Sequence, residues 1–398
     1  MINFSLTEEQ KMVQDMVAKF CERELAPHIA KWDEEEGFDP KVLEEMAELG
    51  ILGISFPEKY GGSGMDYISL ALACEELERL DTSFRVLMSV HIGLCGCGLM
   101  QWANEEQLEK YLTPMATGEK LGTFGLTEPN AGSDAAAIET TATRDGDFYI
   151  LNGEKMWISL ADTAHIFLVF AKTDTSAGHA GISAFIVERD TPGFTSETIH
   201  GKIGIRAGNT GGFSLVDCKV PKENLVGQEG EGFKIAMSAI DNGRYTVAAG
   251  AVGLIRASLE ASCKYANERE TFGKPIGEHQ LVQQMIARMA RDEEVTRLLV
   301  YKAGWLKNEG VRNTKETALA KWYGCDAAFR AANDAVQIHG AYGCSNEYPV
   351  ERYLRNSKGA VIYEGSAEIQ TLLQAQYALG YREDKPLRCY LPGWPFDE

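Results

Sequence analysis

The first 119 residues carry apolar side chains at three- and four-residue steps, the spacing of amphipathic helices. The stretches SLTEEQKMVQDMVAKFCEREL, DPKVLEEMAELGI and MDYISLALACEELERL all show this period. Ser5 and Glu8 have the spacing of a capping box, so we expect the first helix to begin there. The pattern predicts a helical region over residues 1–119.

The segment SFRVLMSVHIGLCGCGLM, residues 83–100, has an unusual polarity. Arg85 opens it, and residues 86–104 contain no charged side chain. The preceding DTS offers an N-cap, so a helix is expected from about Phe84. Its length suits a membrane span, but glycines and single Ser, His and Gln residues interrupt the apolar run. We predict a buried core helix.

Residues 120–231 show a different pattern, with short runs of β-branched and aromatic residues separated by turn residues. The runs are DFYILNGEKMWIS, HIFLVFAKT, GISAFIVERD and GFSLVDCKVP. They predict an antiparallel β domain.

The helical period returns in residues 232–398, in segments long enough for a four-helix bundle. The tail KPLRCYLPGWPFDE is rich in proline and aromatic residues and is expected to be irregular. The order of the three regions predicts an α+β fold with an N-terminal helical domain, a middle β domain and a C-terminal helical bundle.

Composition narrows the function. The chain has 398 residues and a net charge of −19, which argues against nucleic-acid binding because phosphate contacts need basic patches. Its nine cysteines are scattered, with no CxxC pair, so we expect reduced thiols and no metal site. The start, MINFSLTEEQK, lacks the pattern of a secretory signal, and we expect a cytoplasmic protein with no membrane span.

Neither G-x-G-x-x-G nor GxxxxGK[ST] occurs, so a cofactor must be held in another way. The most informative string is VIYEGSAEIQ, residues 361–370. Apolar surroundings would raise the pKa of Glu364 and make it a competent base near neutral pH. From the residues alone, a surface glutamate near a helix start is the other interpretation.

Six motifs resemble those of the acyl-CoA dehydrogenase family and occur in that family's order. They are FGLTEPNAGSD (124–134), GEKMWIS (153–159), RYTVAAGAVGL (244–254), YANERETFGKPIGEHQ (265–280), QIHGAYG (337–343) and YPVERYLR with IYEGSAEIQ. The resemblance runs from the first helix to about residue 380 and implies the same three-domain fold. It also implies FAD as cofactor, a homotetramer, and electron-transfer flavoprotein as electron acceptor.

The resemblance implies that Glu364 is the catalytic base, which removes the α-proton of an acyl-CoA while flavin N5 takes the β-hydride. Some members carry the base just before the arginine that matches Arg244. That position is Gly243 in this chain, so no rival base is expected there. Donors aimed at the thioester oxygen must stabilise the enolate.

The family's flavin contacts match residues in several motifs. Thr127 and the neighbouring Leu126 would contact the flavin, Trp157 would stack against it, and Ser159 would lie near N5. The segment that reaches a neighbouring subunit's FAD is expected to include Arg269, Thr271, Phe272 and Gln280. The remaining cofactor contacts implied by the resemblance are Ser133, which is also near the substrate, Gln337, Gly340, Gly343, Ser366 and Glu368.

The resemblance also assigns substrate contacts. Asp241 and Arg244 match residues that hold CoA, and Tyr363 and Gly365 flank the base. Without the resemblance, DNGR is a polar turn of helix, Trp157 is strand core, and Arg269 is a solvated charge at a helix end.

In the helix that begins near residue 84, the chain is similar to glutaryl-CoA dehydrogenases. Arg85 and Ser89, four residues apart on one helix face, match the pair that binds the substrate's distal carboxylate. Glu78 matches a glutamate near that carboxylate in decarboxylating members, which form crotonyl-CoA. In the other interpretation, Arg85 reaches solvent or pairs with Asp81, and Glu78 lies on the surface.

Several departures keep other substrates open. Cys95, Cys97 and His91 are unexpected in a glutaryl pocket, and the C-terminal motifs look more like those of straight-chain enzymes. A short-chain, benzylsuccinyl- or cyclic acyl-CoA dehydrogenase is therefore an alternative. A non-catalytic relative that acts as a binding or assembly subunit is an alternative of another class.

Overall fold

The computed structural model describes residues 5–396. Its N-terminal helices are α1 (Glu8–Phe20), α2 (Ile29–Glu35), α3 (Lys41–Glu48), α4 (Tyr67–Leu80), α5 (Thr82–Met88), α6 (Cys97–Trp102), α7 (Glu105–Gln107) and α8 (Thr113–Ala116). The predicted start of α1 was wrong by two residues, because Thr7 forms the capping box. The Thr7 hydroxyl accepts from the Gln10 N–H, and the Gln10 side chain accepts from the Thr7 N–H.

Helices α5 and α6 are joined by a π-helical stretch, Ser89–Gly96, so that the chain is helical from Thr82 to Trp102. The Asp81 carboxylate caps this helix by accepting from the Ser83 N–H. Among the described residues, this is the one helix long and apolar enough to cross a membrane. However, 94% of its most apolar 18-residue window is buried inside the protein. The prediction of a buried core helix is confirmed.

The middle domain is a single sheet with strand order β6-β7-β3-β2-β4-β5-β8, and β1 pairs with β4. The strands are β1 (Gly122–Gly125), β2 (Thr141–Asp145), β3 (Phe148–Ser159), β4 (Ile166–Lys172), β5 (Ile182–Glu188), β6 (Phe194–Thr198), β7 (Thr210–Pro221) and β8 (Leu225–Val226).

The sheet is mixed, so the prediction of a purely antiparallel domain was wrong in part. β1 runs parallel to β4 along its whole length, and β2 adds one parallel pair, Thr141 with Lys172. The cause is the long connection from β1 to β4, which passes through β2 and β3 and lets both strands run in one direction. The other strand pairs are antiparallel.

The C-terminal domain is helical, as predicted. Its helices are α9 (Gly232–Glu268), α10 (Gln280–Asn308), α11 (Thr314–His339), α12 (Val350–Ala360) and α13 (Ala367–Ala378). Helix α9 packs against α10 and α11 and also against α4. Its central stretch is rich in alanine and glycine and is buried, because small residues let three neighbouring helices approach closely. A short hairpin, β9 (Glu270–Thr271) with β10 (Lys274–Pro275), joins α9 to α10.

The tail beyond Gly380 has no regular structure in the described residues but follows a defined path. Pro392 accepts a hydrogen bond from the buried Tyr67 hydroxyl at 3.0 Å. Trp394 donates to the carbonyl of Asn308 through its backbone at 2.7 Å and to that of Gly64 through its indole at 2.9 Å. The tail therefore connects the start of α4 to the end of α10.

Candidate active site

Glu364 lies in the turn between α12 and α13 and has a left-handed backbone, with φ of 52°. The residue is half-buried, but its Oε2 atom is inaccessible and has no hydrogen-bond partner in the described residues. Burial raises the pKa of Glu364 to about 7, against the opposing effect of Arg85, Lys321 and Arg244. A buried carboxylate of this kind is partly ionised near neutral pH and can accept a proton.

The carboxylate of Glu364 faces Gly243 in α9. A Cβ atom built on Gly243 would lie 2.0 Å from Glu364 Oε2 and 2.7 Å from Leu94 Cδ2. The absence of a side chain at 243 therefore creates the space that the Glu364 carboxylate occupies.

Donors from the surrounding helices hold the backbone of this turn. Arg244 Nε donates to the Glu364 carbonyl at 3.3 Å. The Gly365 carbonyl accepts from Lys321 Nζ at 2.8 Å and from Gln370 Nε2 at 3.0 Å. The turn is thus fixed from α9, α11 and α13 together.

The Arg85 side chain is 1% exposed and is surrounded by polar partners. Its Nε donates to Glu78 at 2.5 Å, and its Nη1 donates to Ser89 at 3.0 Å. Its Nη2 donates to the hydroxyl of Tyr363, and the guanidinium lies 5.4 Å from the centre of that ring. Burial disfavours the charge, but Glu78 outweighs it and raises the pKa of Arg85.

Tyr363 precedes Glu364 in the chain, so Arg85 contacts the residue next to the predicted base. Burial raises the pKa of Tyr363 as well, which keeps its phenol neutral. The helix that carries Arg85 and the turn that carries Glu364 thus meet at one site.

Neither competing interpretation of Arg85 agrees with these contacts. The guanidinium does not reach solvent, and Asp81 pairs with Arg352 at 3.1 Å. Glu78 is 2% exposed rather than on the surface, and its second oxygen accepts from Thr82 at 2.7 Å.

Ser89 continues the polar contacts of Arg85 into α9. Its hydroxyl lies 2.6 Å from that of Thr246, and the Thr246 hydroxyl donates to the Gly243 carbonyl at 2.8 Å. A row of hydrogen bonds therefore runs from Arg85 to the backbone that faces Glu364.

The residues predicted to contact the flavin isoalloxazine lie on β3 and on the loop after β1. The carbonyl of Thr127 accepts from the Met156 N–H at 3.0 Å, which ties that loop to the strand beside Trp157. Trp157 lies at a bulge, with φ of 62°, and is 61% exposed. The carbonyl of Ser159 accepts from Thr123 at 2.6 Å. An exposed indole next to a fixed loop fits a flat ring such as isoalloxazine.

A buried ion pair supports the same loop. Lys155 Nζ lies 2.7 Å from Glu128 and donates to the Leu126 carbonyl at 3.1 Å. Glu128 also accepts from the Thr140 backbone at 3.1 Å. The loop is therefore held rigidly before any cofactor binds.

The second group of predicted cofactor residues lies around the hairpin between α9 and α10. Arg269 follows the end of α9 and is exposed, and Phe272 at the hairpin tip is 97% exposed. The Thr271 hydroxyl lies 3.1 Å from His279, next to the exposed Gln280. The hairpin projects side chains outward, as a segment that reaches another subunit must.

The structure places the remaining predicted contacts as follows. Asp241 pairs with Arg244 at 2.9 Å and accepts from Thr314 at 2.5 Å, so the predicted CoA residues lie together beside the Glu364 turn. Ser366 and Glu368 begin α13 just after this turn. Of the remaining predicted residues, Ser133, Gln337 and Gly340 are exposed, whereas Gly343 is buried. None of the four is joined by a hydrogen bond to the Glu364 turn in the described residues.

The residues of the β1 loop, β3 and the hairpin fit FAD, since they offer an exposed aromatic ring, rigid backbone groups and an arginine. No group of three or more His, Cys, Asp or Glu residues that could hold a metal occurs between residues 5 and 396.

The chain matches three family models. Residues 7–119 match the acyl-CoA dehydrogenase N-terminal domain, residues 123–218 the middle domain, and residues 230–379 the C-terminal domain. The chain is 40% identical to the glutaryl-CoA dehydrogenase of Desulfococcus multivorans over 96% of this chain and 99% of that protein.

Two solved structures are similar over 95% of this chain and the whole of theirs. One comes from work on the electron-transferring flavoprotein of Acidaminococcus fermentans, with 46% identity and a TM-score of 0.93. The other is butyryl-CoA dehydrogenase from Megasphaera elsdenii, with 43% identity and a TM-score of 0.93. The chain therefore belongs to the acyl-CoA dehydrogenase family. It is an FAD-dependent oxidoreductase, and the predicted family, fold and cofactor are confirmed.

Sequence reasoning missed three residues of the site, Thr246, Lys321 and Gln370. Lys321 interrupts an alanine-rich helix face in ALAKWYGCDAA, and a lysine on such a face is a signal worth testing. Thr246 follows Gly243 by three residues, the spacing at which a threonine bonds back along a helix. Nothing in the sequence distinguishes Gln370 from an ordinary helix residue.

Proposed function

We propose that this enzyme oxidises an acyl-CoA whose acyl chain ends in a carboxylate, of the glutaryl-CoA type. The observation that carries the proposal is the buried Arg85, which bonds Tyr363, the neighbour of Glu364. An arginine suits a carboxylate because it offers paired N–H donors in one plane. Its place next to the base suits a short dicarboxylic chain.

Arg85 has donors to spare for such a substrate. A guanidinium carries five N–H groups, and three of them point to Glu78, Ser89 and Tyr363. One N–H on each Nη atom remains for the distal carboxylate. Asp241, Arg244 and the backbone beside Gly365 hold the CoA part of the substrate in this proposal.

Glu364 is the base that takes the α-proton. Its raised pKa, about 7, matches the protonation change that this step needs near neutral pH. FAD, when bound, supplies the two-electron acceptor for the β-hydride. The chain contributes the residues that hold it, with Leu126, Thr127, Trp157 and Ser159 at the flavin and Arg269 at the diphosphate.

Glu78 also determines the net charge of the site. The pair of Arg85 and Glu78 is already neutral, so a substrate carboxylate adds a further negative charge to a buried site. After α,β-oxidation a γ-carboxylate can leave as carbon dioxide, and the electrons of the broken C–C bond pass into the conjugated thioester. The dienolate that results takes up one proton at its γ-carbon and becomes crotonyl-CoA. We therefore include decarboxylation to crotonyl-CoA in the proposed reaction.

Electron-transfer flavoprotein is the proposed electron acceptor, a homotetramer the proposed assembly and the cytoplasm the proposed location. The similarity to a chain from the flavoprotein work on Acidaminococcus fermentans supports the first of these. The exposed hairpin with Phe272 and Arg269 supports an assembly in which one subunit completes the FAD site of another.

The test is flavin bleaching under anaerobic conditions with glutaryl-CoA and butyryl-CoA, with carbon dioxide measured alongside. Replacing Arg85 by Met should lower kcat/KM for glutaryl-CoA about 100-fold and change that for butyryl-CoA less than about threefold. Arg256→Met is the matched control, because Arg256 is paired with Glu75 and Glu76 outside the site. If glutaryl-CoA is oxidised but no carbon dioxide is released, the proposed decarboxylation is wrong and the proposed substrate class stands.

A short-chain acyl-CoA dehydrogenase is the second candidate, because Arg85 already has a charged partner in Glu78 and is neutralised without a ligand. Butyryl-CoA would then be the better substrate, and Arg85→Met would affect both substrates equally. A non-catalytic subunit is not favoured, since Glu364, Trp157 and Arg269 are all present.

A further inference from the structure

Lys321 is a buried lysine that forms no salt bridge in the described residues, although the charges of Glu364 and Asp326 act on it. It lies on α11 and is 0% exposed. Its Nζ donates to the carbonyl of Gly365 at 2.8 Å. Burial of the ammonium is costly and lowers the pKa of Lys321, and the Glu364 carboxylate opposes this effect.

The other two buried lysines, Lys155 and Lys307, have compensating partners. Lys155 pairs with Glu128 at 2.7 Å. Lys307 donates to Asn242 and lies 4.5 Å from the ring centre of Tyr67. Lys321 instead directs its charge at the backbone of the catalytic turn.

That turn needs external support. Glu364 and Gly365 have φ of 52° and 90°, so two successive residues are left-handed. For a residue with a side chain, this conformation costs about 1–2 kcal/mol. The Gly365 carbonyl is held from α11 by Lys321 and from α13 by Gln370. These contacts oppose the relaxation of the turn that would move the Glu364 carboxylate away from Gly243.

We propose that Lys321 is a positioning residue for the catalytic base, which holds the Gly365 carbonyl and thereby fixes Glu364 in the geometry that reacts. The proposal rests on the proposed role of Glu364. Lys321 also acts through its charge, which favours the ionised form of the Glu364 carboxylate and opposes the rise in its pKa. Gln370 also holds the Gly365 carbonyl, but it is uncharged and has no such effect on the pKa of Glu364.

The experiment compares Lys321→Met with Gln370→Met as FAD-loaded enzymes, with an acyl-CoA that the wild-type enzyme oxidises. Lys321→Met should lower kcat about 10- to 100-fold, leave KM within about threefold, and move the acidic limb of the kcat/KM profile up by about one pH unit. Gln370→Met should lower kcat about 5- to 10-fold and leave that limb in place.

Lys307→Met is the control for the loss of a buried ammonium, because Lys307 makes no contact with the turn. It should reduce stability but keep the wild-type pH profile. If Lys321→Met has wild-type kcat and an unshifted acidic limb, the proposal is wrong. If that variant does not fold, Gln370→Met decides, and an unchanged kcat there shows that holding the Gly365 carbonyl does not position the base. Glu364→Gln tests the base separately: full activity there refutes the base, whatever Lys321 does.

Discussion

The Glu364 carboxylate fills the space that a side chain on Gly243 would occupy. A Cβ atom at 243 would lie 2.0 Å from Glu364 Oε2, far inside van der Waals contact. The two positions therefore depend on each other. A side chain at residue 243 would require the Glu364 carboxylate and the Leu94 side chain to shift.

Gly243→Ala should lower kcat about 100-fold or more, because the added methyl group displaces the base by an ångström or more. Steady-state kinetics per bound FAD would measure this. Gly253→Ala is the control, because Gly253 lies on α9 like Gly243, and its methyl group would clash with the Glu75 carbonyl of α4, away from the base. A Gly243→Ala enzyme with wild-type kcat would contradict the geometry.

Tyr363→Phe removes the hydroxyl group that accepts a hydrogen bond from Arg85 and keeps the aromatic ring next to the guanidinium. If Arg85 binds a distal carboxylate, KM for glutaryl-CoA should rise about 10-fold, because the arginine is less firmly oriented. KM for butyryl-CoA should stay within about twofold. Equal changes for the two substrates would show that Tyr363 serves the base and not Arg85.

Much of the fold followed from local patterns. The helical period, the turn residues and the Arg85 helix are all local features, and each led to the observed element. The parallel pairing of β1 with β4 was missed because it depends on strands far apart in the sequence. The start of α1 was misplaced because Ser5 and Thr7 are both common N-cap residues, and residue type alone favours Ser5.

The residues of the site also fall into two groups, those found from local motifs and those found only from the packed structure. Glu364 and Trp157 lie in short motifs that can be read directly, whereas the contact of Arg85 with Tyr363 joins residues 278 positions apart. The partner of Arg85 is Glu78, one residue of an ordinary amphipathic stretch. Burial shows that Arg85 and Glu78 lie inside the protein and not at its surface. Burial depends on how the helices pack, so the local sequence could not predict it.

The stability of the enzyme should depend on pH through Glu364. Burial raises the pKa of Glu364 from 4.5 to about 7, so the folded chain binds this proton more tightly than the unfolded chain. The resulting stabilisation is fully present below pH 4.5 and is lost as the pH rises through 7. Because the residue is half-buried, Glu364→Gln should gain about 1–2 kcal/mol over wild type between about pH 5 and pH 8.5.

Denaturant unfolding at the two pH values would measure this gain. Glu368→Gln serves as the control, because Glu368 is exposed at the start of the next helix. A Glu364→Gln variant with the wild-type pH dependence would show that the carboxylate is hydrated in the folded enzyme.

Removal of the tail beyond Gly380 should lower Tm. The tail buries the Tyr67 hydroxyl against Pro392 and places the Trp394 indole on the Gly64 carbonyl. Trp394→Ala should cost about 1–3 kcal/mol in the free energy of unfolding, because it removes ring contacts and a hydrogen bond. Calorimetry of this variant and of a chain ending at residue 380 measures the effect. Tyr381→Ala, an 80% exposed position, should leave Tm unchanged.

The direction of the hydrogen bonds between Arg85 and Gly243 leads to the last prediction. The Thr246 hydroxyl donates its one proton to the Gly243 carbonyl, so Ser89 must donate to Thr246 while it accepts from Arg85. Ser89 then has no proton left for a substrate carboxylate.

Thr246→Val keeps the shape of the side chain and frees the Ser89 proton. KM for glutaryl-CoA should fall about threefold, since a second donor then joins Arg85, while KM for butyryl-CoA stays constant. Thr246→Ser retains the hydroxyl and should behave as wild type. A higher KM for glutaryl-CoA in Thr246→Val would mean that Thr246 orients Ser89 for the carboxylate instead of competing for its proton.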